Sequence, residues 1–140
     1  MRDIKFRAWH KNIKEMFEVG QITLKKGIWD YQPEDRKYIG MSIPYQPSFI
    51  LMQYTGLHDK NGKEIYEGDI VKITENILKQ KVIRLKPIIA DIEWSEEYLT
   101  YTLITTSVKD AFESLTDYLD EYDIEVIGNI YENKELLEGE

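Results

Sequence analysis

The stretch from Tyr54 to Ile73, YTGLHDKNGKEIYEGDIVKI, constrains the fold of this chain more than any other. Asp59-Lys60-Asn61-Gly62 predicts a hairpin, because both positions of an Asn-Gly pair tolerate positive φ at little steric cost. Glu67-Gly68-Asp69 predicts a bend into an apolar strand. There Ile70, Val71 and Ile73 supply the β-branched side chains that suit a pleated, half-buried surface. Gly56, Gly62 and Gly68 recur every six residues, a spacing that matches no phosphate-binding loop, so they read as turn residues.

The rest of the chain extends the β pattern. Ile4, Phe6 and Ala8 alternate with Lys5, Arg7 and Trp9, the period of a half-buried strand. His10-Lys11-Asn12 predicts a turn and Met16 to Val19 the return strand. Gly20 and Gly27 bracket a short strand, Gln21 to Leu24. Trp29 to Tyr45 contains Pro33, Pro44 and polar runs, and reads as an extended loop with little regular structure. Phe49 to Tyr54 is a buried strand entering the hairpin. Lys72 to Lys81 is weakly patterned and reads as a mobile connection, with a short strand expected at Val82 to Leu85. Ile88 to Trp94 is a strand, Ser95-Glu96-Glu97 its turn, and Tyr98 to Thr105 the return. Asp110 to Asp120 predicts a helix, with Ala111, Leu115, Tyr118 and Leu119 on one stripe and Asp110 and Glu113 as a capping box. Glu125 to Tyr131 is the final strand, and Asn133 to Leu137 a terminal helical turn.

Strands joined by short turns, with one short helix before the last strand, predict a mainly β fold: an SH3-like barrel preceded by an N-terminal β-hairpin region. The expected division is residues 1–48 for the hairpin region and loop and 49–140 for the barrel. With 140 residues the chain suffices for one compact domain or two small lobes, and buries a core without staples.

Composition removes several kinds of chemistry. The chain has no Cys, which excludes disulfides, thiolate zinc sites, iron–sulfur clusters and a cysteine nucleophile. Its two His, His10 and His58, fall among polar residues in expected turns and read as solvated. No apolar run is long enough to span a bilayer and Met1-Arg2-Asp3 opens no signal peptide, so no membrane association and a cytoplasmic location are expected. The net charge of −8 is uneven, +2 over residues 1–72 and −10 over residues 73–140. An acidic chain is repelled by nucleic acid at long range, which leaves only a local N-terminal face for that partner.

Three blocks carry a family resemblance. Ile4-Lys5-Phe6-Arg7-Ala8-Trp9 with Lys14-Glu15-Met16 opens the chain. Leu51 to Leu57 followed by Asp59 to Val71 forms the centre, and Glu125 to Asn133 closes it. In this order they resemble the YopX family of small proteins encoded in phages and prophages, with variable stretches near 21–48 and 73–90. The resemblance implies a β-rich fold whose larger part is an SH3-type barrel, and a phage or prophage setting. It brings no catalytic residues with it, and a fold of that kind hosts peptide, protein and nucleic-acid binding alike.

Four side-chain groups are candidates for function. Lys5, Arg7 and Trp9 would share one strand face, and two cations beside an exposed indole would suit stacking on single-stranded nucleic acid; the competing expectation is Trp9 packed on a neighbouring strand. Asp91, Glu93, Glu96 and Glu97 could hold a hard cation or simply solubilise a sheet face. Asp117, Asp120, Glu121, Asp123 and Glu125 form an acidic run near the end of the helix, open to a basic partner. Ten Tyr need polar homes for their hydroxyls, at the rim of the core or at an interface. No paired-carboxylate, triad or nucleotide motif stands out. The sequence therefore predicts a non-catalytic interaction module without cofactor or metal, forming a homo-oligomer or binding a host or phage protein, with nucleic-acid binding through Lys5, Arg7 and Trp9 as the alternative.

Overall fold

The computed structural model describes residues 3–25, 28–33, 43–44, 49–76, 78, 87–104 and 114–138. The chain is mainly β and divides into two units, Met1–Tyr54 and Thr55–Glu140. The boundary between the units falls inside a strand, β5 (Phe49–His58). Its first half pairs within the N-terminal unit, and Thr55 onward belongs to the C-terminal unit.

In the N-terminal unit, β1 (Phe6–His10), β2 (Glu15–Lys25), β3 (Ile28–Pro33) and β4 (Ile43–Pro44) form an antiparallel sheet in the order β4-β3-β2-β1-β5. β1 is central: Ala8 faces Phe17 on β2 and Leu51 on β5, while Trp9 faces Met16 and Ile50. Ala8 and Trp9 are adjacent, so they point to opposite sides of the sheet, and both are buried. Both faces of β1 are therefore covered, and the expected division into an apolar and an open face does not hold. Gly20 does not break the chain. It sits where the β2–β3 register shifts between Val19 and Gln21, a bulge that lets one long strand continue. The expected loop over Trp29 to Tyr45 contains β3 and β4, whose prolines lie at the strand ends, Pro33 and Pro44.

The C-terminal unit holds β6 (Glu64–Tyr66), β7 (Asp69–Glu75), β8 (Ile88–Ser95), β9 (Thr100–Ile104), α1 (Leu115–Glu121), β10 (Tyr122–Asn129) and α2 (Glu135–Glu138). Its four-stranded antiparallel sheet runs β10-β7-β8-β9. β7 extends to Glu75, so Lys72 to Glu75 is ladder and not connection; Val82 to Leu85 lies outside the described residues. Ile65, Val71, Ile73, Ala90, Ile92, Tyr101, Leu103, Leu115 and Ile124 form the core. The barrel-like, mainly β expectation holds.

The central turn closes this unit. Asp59 O accepts from Gly62 N at 3.0 Å, and only Gly62 of the Asn-Gly pair has positive φ, at 82°. This is a type I turn followed by a glycine bulge, in place of the expected two-residue turn. Its Lys60 N donates to Ile124 O at 2.9 Å, and Val126 N donates to Asp59 Oδ2 at 2.9 Å. The turn thereby covers the edge of β10 that β7 leaves open.

The helix starts later than expected. Asp110 and Glu113 lie outside the described residues, and the N-cap is Ser114, whose hydroxyl accepts from Asp117 N while Asp117 returns a carboxylate to the Ser114 N–H. Leu115 is buried and Tyr118 and Leu119 pack on the core, as the stripe predicts.

Candidate interaction surface

Two hairpins of the same construction carry the exposed apolar groups of interest. In the β1–β2 hairpin His10 pairs with Glu15, leaving Lys11-Asn12-Ile13-Lys14 as the loop. In the β8–β9 hairpin Ser95 pairs with Thr100, leaving Glu96-Glu97-Tyr98-Leu99. The fourth loop residue is left-handed in each, Lys14 at φ 55° and Leu99 at φ 51°. The side chain just before each loop accepts from its backbone: His10 Nδ1 from Asn12 N at 3.2 Å and from Ile13 N at 3.4 Å, Ser95 Oγ from Tyr98 N at 3.2 Å. His10 is thus a half-buried strand residue, its ring 4.3 Å from that of Phe49, and not a solvated turn residue.

The tips differ in chemistry. The first presents two Lys around Ile13, 46% exposed. The second presents Glu96 and Glu97 beside Tyr98 and Leu99, with Leu99 72% exposed. Trp94 extends this tip: 42% exposed, it stacks edge-on against Tyr101 with ring centroids 5.0 Å apart. A leucine in the left-handed region costs about 1–2 kcal/mol, and Leu99, 72% exposed, recovers little of that by burial. Lys14 takes the same conformation at the same loop position, so the left-handed residue belongs to this type of hairpin loop, and at Leu99 it leaves a large apolar side chain exposed.

Below the tip on β8, Asp91 and Glu93 share one strand face and a hydrogen bond. Burial, together with the hydrogen bond to Glu93 and its charge, pushes the Asp91 carboxyl up to about 7. Among the described residues no group of three or more His, Asp or Glu is placed to hold a metal ion. Glu96 and Glu97 lie on the tip and do not join the pair as ligands.

The acidic run near α1 is largely structural. Asp117 closes the capping box, Asp123 accepts from Asn76 Nδ2 at 2.9 Å, and Glu125 lies 3.6 Å from Lys60. Asp120 and Glu121 remain at the exposed last turn.

The three residues of the expected stacking platform differ in exposure. Lys5 is exposed with Nζ 5.5 Å from the Tyr54 ring centroid, Arg7 is half-buried, and Trp9 is only 7% exposed. Stacking on a base needs an open indole face, and the Trp9 side chain is buried. The apolar tip itself escapes sequence reasoning. With the turn placed at Ser95 to Glu97, Tyr98 and Leu99 read as strand residues; the register of β8 on β9, Ser95 opposite Thr100, puts them in the loop.

Two solved structures resemble the whole chain. A protein from Enterococcus faecalis, EF1440, is 28% identical with a TM-score of 0.59, the match covering 98% of this chain and 99% of that one. YopX from Bacillus subtilis is 21% identical with a TM-score of 0.64, over 95% of this chain and 97% of that one, a likeness of fold. No curated protein matches significantly. Residues 5–138 match the family model described as YopX protein, and with three ordered sequence blocks and a shared mainly β fold behind that match, the chain belongs to the YopX family.

Proposed function

We propose that this chain is a non-catalytic protein-interaction module that binds its partner through the β8–β9 tip. The observation that supports this reading is Leu99, held left-handed and 72% exposed beside Trp94 and Tyr98. Exposed aromatic and aliphatic side chains at one hairpin end are suited to anchor an interface, with Glu96 and Glu97 as a polar rim. The setting suggested by the family is a phage or prophage product working in the bacterial cytoplasm. No helix among the described residues is long and apolar enough to cross a membrane.

Capture from a bacterial lysate with nuclease present tests this reading, comparing the wild type with Leu99→Glu. Specific, nuclease-resistant association, whether with another protein or another copy, should be lost in the variant. Association that survives Leu99→Glu would overturn it. Recovery only in the absence of nuclease would favour nucleic acid, a reading that keeps the exposed Lys5 but is not favoured by a buried Trp9.

A further inference from the structure

The two hairpin tips match in shape and oppose in charge. Each is a four-residue loop ending in a left-handed residue and anchored by an acceptor side chain just before it. One presents Lys11 and Lys14 around Ile13, the other Glu96 and Glu97 beside Leu99. Each loop thus carries two like charges and an exposed aliphatic side chain, at the third position in one and the fourth in the other, and the charges of the two loops are opposite. Resting on the protein-interaction reading above, we infer that the partner of the β8–β9 tip is the β1–β2 tip of a second copy of this chain.

In such a contact Ile13 of one copy packs against Leu99 and Trp94 of the next, while the two Lys face the two Glu. The contact is heterologous, because different patches meet, so copies add head to tail and either close into a ring or extend. Two short loops bury little surface, which makes each contact weak and leaves much of its strength to charge. Opposed surface charges also make it salt-sensitive. Like charges prevent either tip from pairing with its own kind, so the sign of the charges specifies which tips meet.

Sedimentation velocity on the full chain and on two charge-reversed variants tests this. Lys11→Glu with Lys14→Glu gives a chain with two acidic tips. Glu96→Lys with Glu97→Lys gives one with two basic tips. All four positions are exposed, and circular dichroism checks that both variants keep the fold. The wild type should sediment as an assembly at roughly 100 μM in low salt. Each variant alone should sediment as monomer, and an equal mixture of the two should regain the assembly. A wild type that remains monomeric, variants that assemble alone, or a mixture that does not assemble would each overturn the inference. Leu99-dependent capture of a different protein by a monomeric wild type would leave the broader interaction reading standing and remove only the self-association.

Discussion

Asp59 joins two distant parts of the chain through one carboxylate. Its Oδ1 accepts from Asn61 N at 2.8 Å and Lys63 N at 2.9 Å, and its Oδ2 accepts from Val126 N. Burial alone would raise its pKa. The three N–H donors and the charge of Lys63 together outweigh burial and hold it below the ordinary carboxylate value. A depressed pKa contributes stability that is present above the unfolded value and lost as pH falls through the folded one. Asp59→Ala is expected to cost roughly 2–3 kcal/mol in urea unfolding at pH 7, because buried backbone donors lose a charged acceptor. Asp91 has the opposite sign. Its carboxyl is raised to about 7, so the folded state holds a proton that the unfolded chain releases at lower pH. The stability it contributes is full below the ordinary carboxylate value and declines as pH rises through about 7. Asp91→Asn should flatten that decline in unfolding curves recorded from pH 5 to about 8, and an unchanged slope would refute the assignment.

At the scale of elements, the final strand and the segment after it are matched through Gly128. A Cβ at Gly128 would come within 2.5 Å of Asn133 Oδ1, the atom that accepts from Asn129 N. Asn129 Oδ1 in turn accepts from Tyr131 N and Glu132 N, so Gly128 to Asn133 forms one local network. Gly128→Ala is expected to destabilise by about 1–3 kcal/mol through overpacking. Adding Asn133→Ala should recover part of that loss, a coupling that a double-mutant cycle of thermal unfolding measures. The hairpin tips offer a test of opposite sign. Leu99→Gly removes left-handed strain and should raise stability by about 1 kcal/mol while weakening association. A variant both more stable and less associated would separate a functional role for Leu99 from a structural one.

For the whole molecule, the uneven charge is a property of the surface more than of the fold. The sheets form around apolar side chains, whereas the two tips display their opposite charges to solvent. Sedimentation of the wild type should therefore shift toward monomer between about 50 mM and about 500 mM salt, as the Debye length shortens. The unfolding midpoint should change little over the same range, because the core of the C-terminal unit is apolar and screening acts on exposed charges. A salt-independent sedimentation coefficient for an assembled wild type would argue against charge as the source of specificity.

Local signals were enough to recognise most strands. Alternation over Phe6 to Ala8, the β-branched runs at Ile70 and Ile88, and turn glycines at positions 62 and 68 are short-range patterns; Gly56, expected in a turn, instead lies inside β5, where its positive φ of 85° interrupts an otherwise extended strand. The family likeness was legible for the same reason, since its blocks are turns and strands written in contiguous residues. Burial of Trp9 was one of two expectations, and alternation could not choose between them, because it says which side chains share a face and nothing about how many faces are covered. Only pairing of β1 on both edges, and burial of adjacent Ala8 and Trp9, decides that. Ser114 as the cap, the anchoring of Asp59 to Val126 and the approach of Asn133 to Gly128 were likewise decided in three dimensions. The resemblance between the two hairpin tips belongs there too: Lys11 to Lys14 and Glu96 to Leu99 share no sequence, and their common geometry comes from strand register and loop length, which tertiary pairing sets.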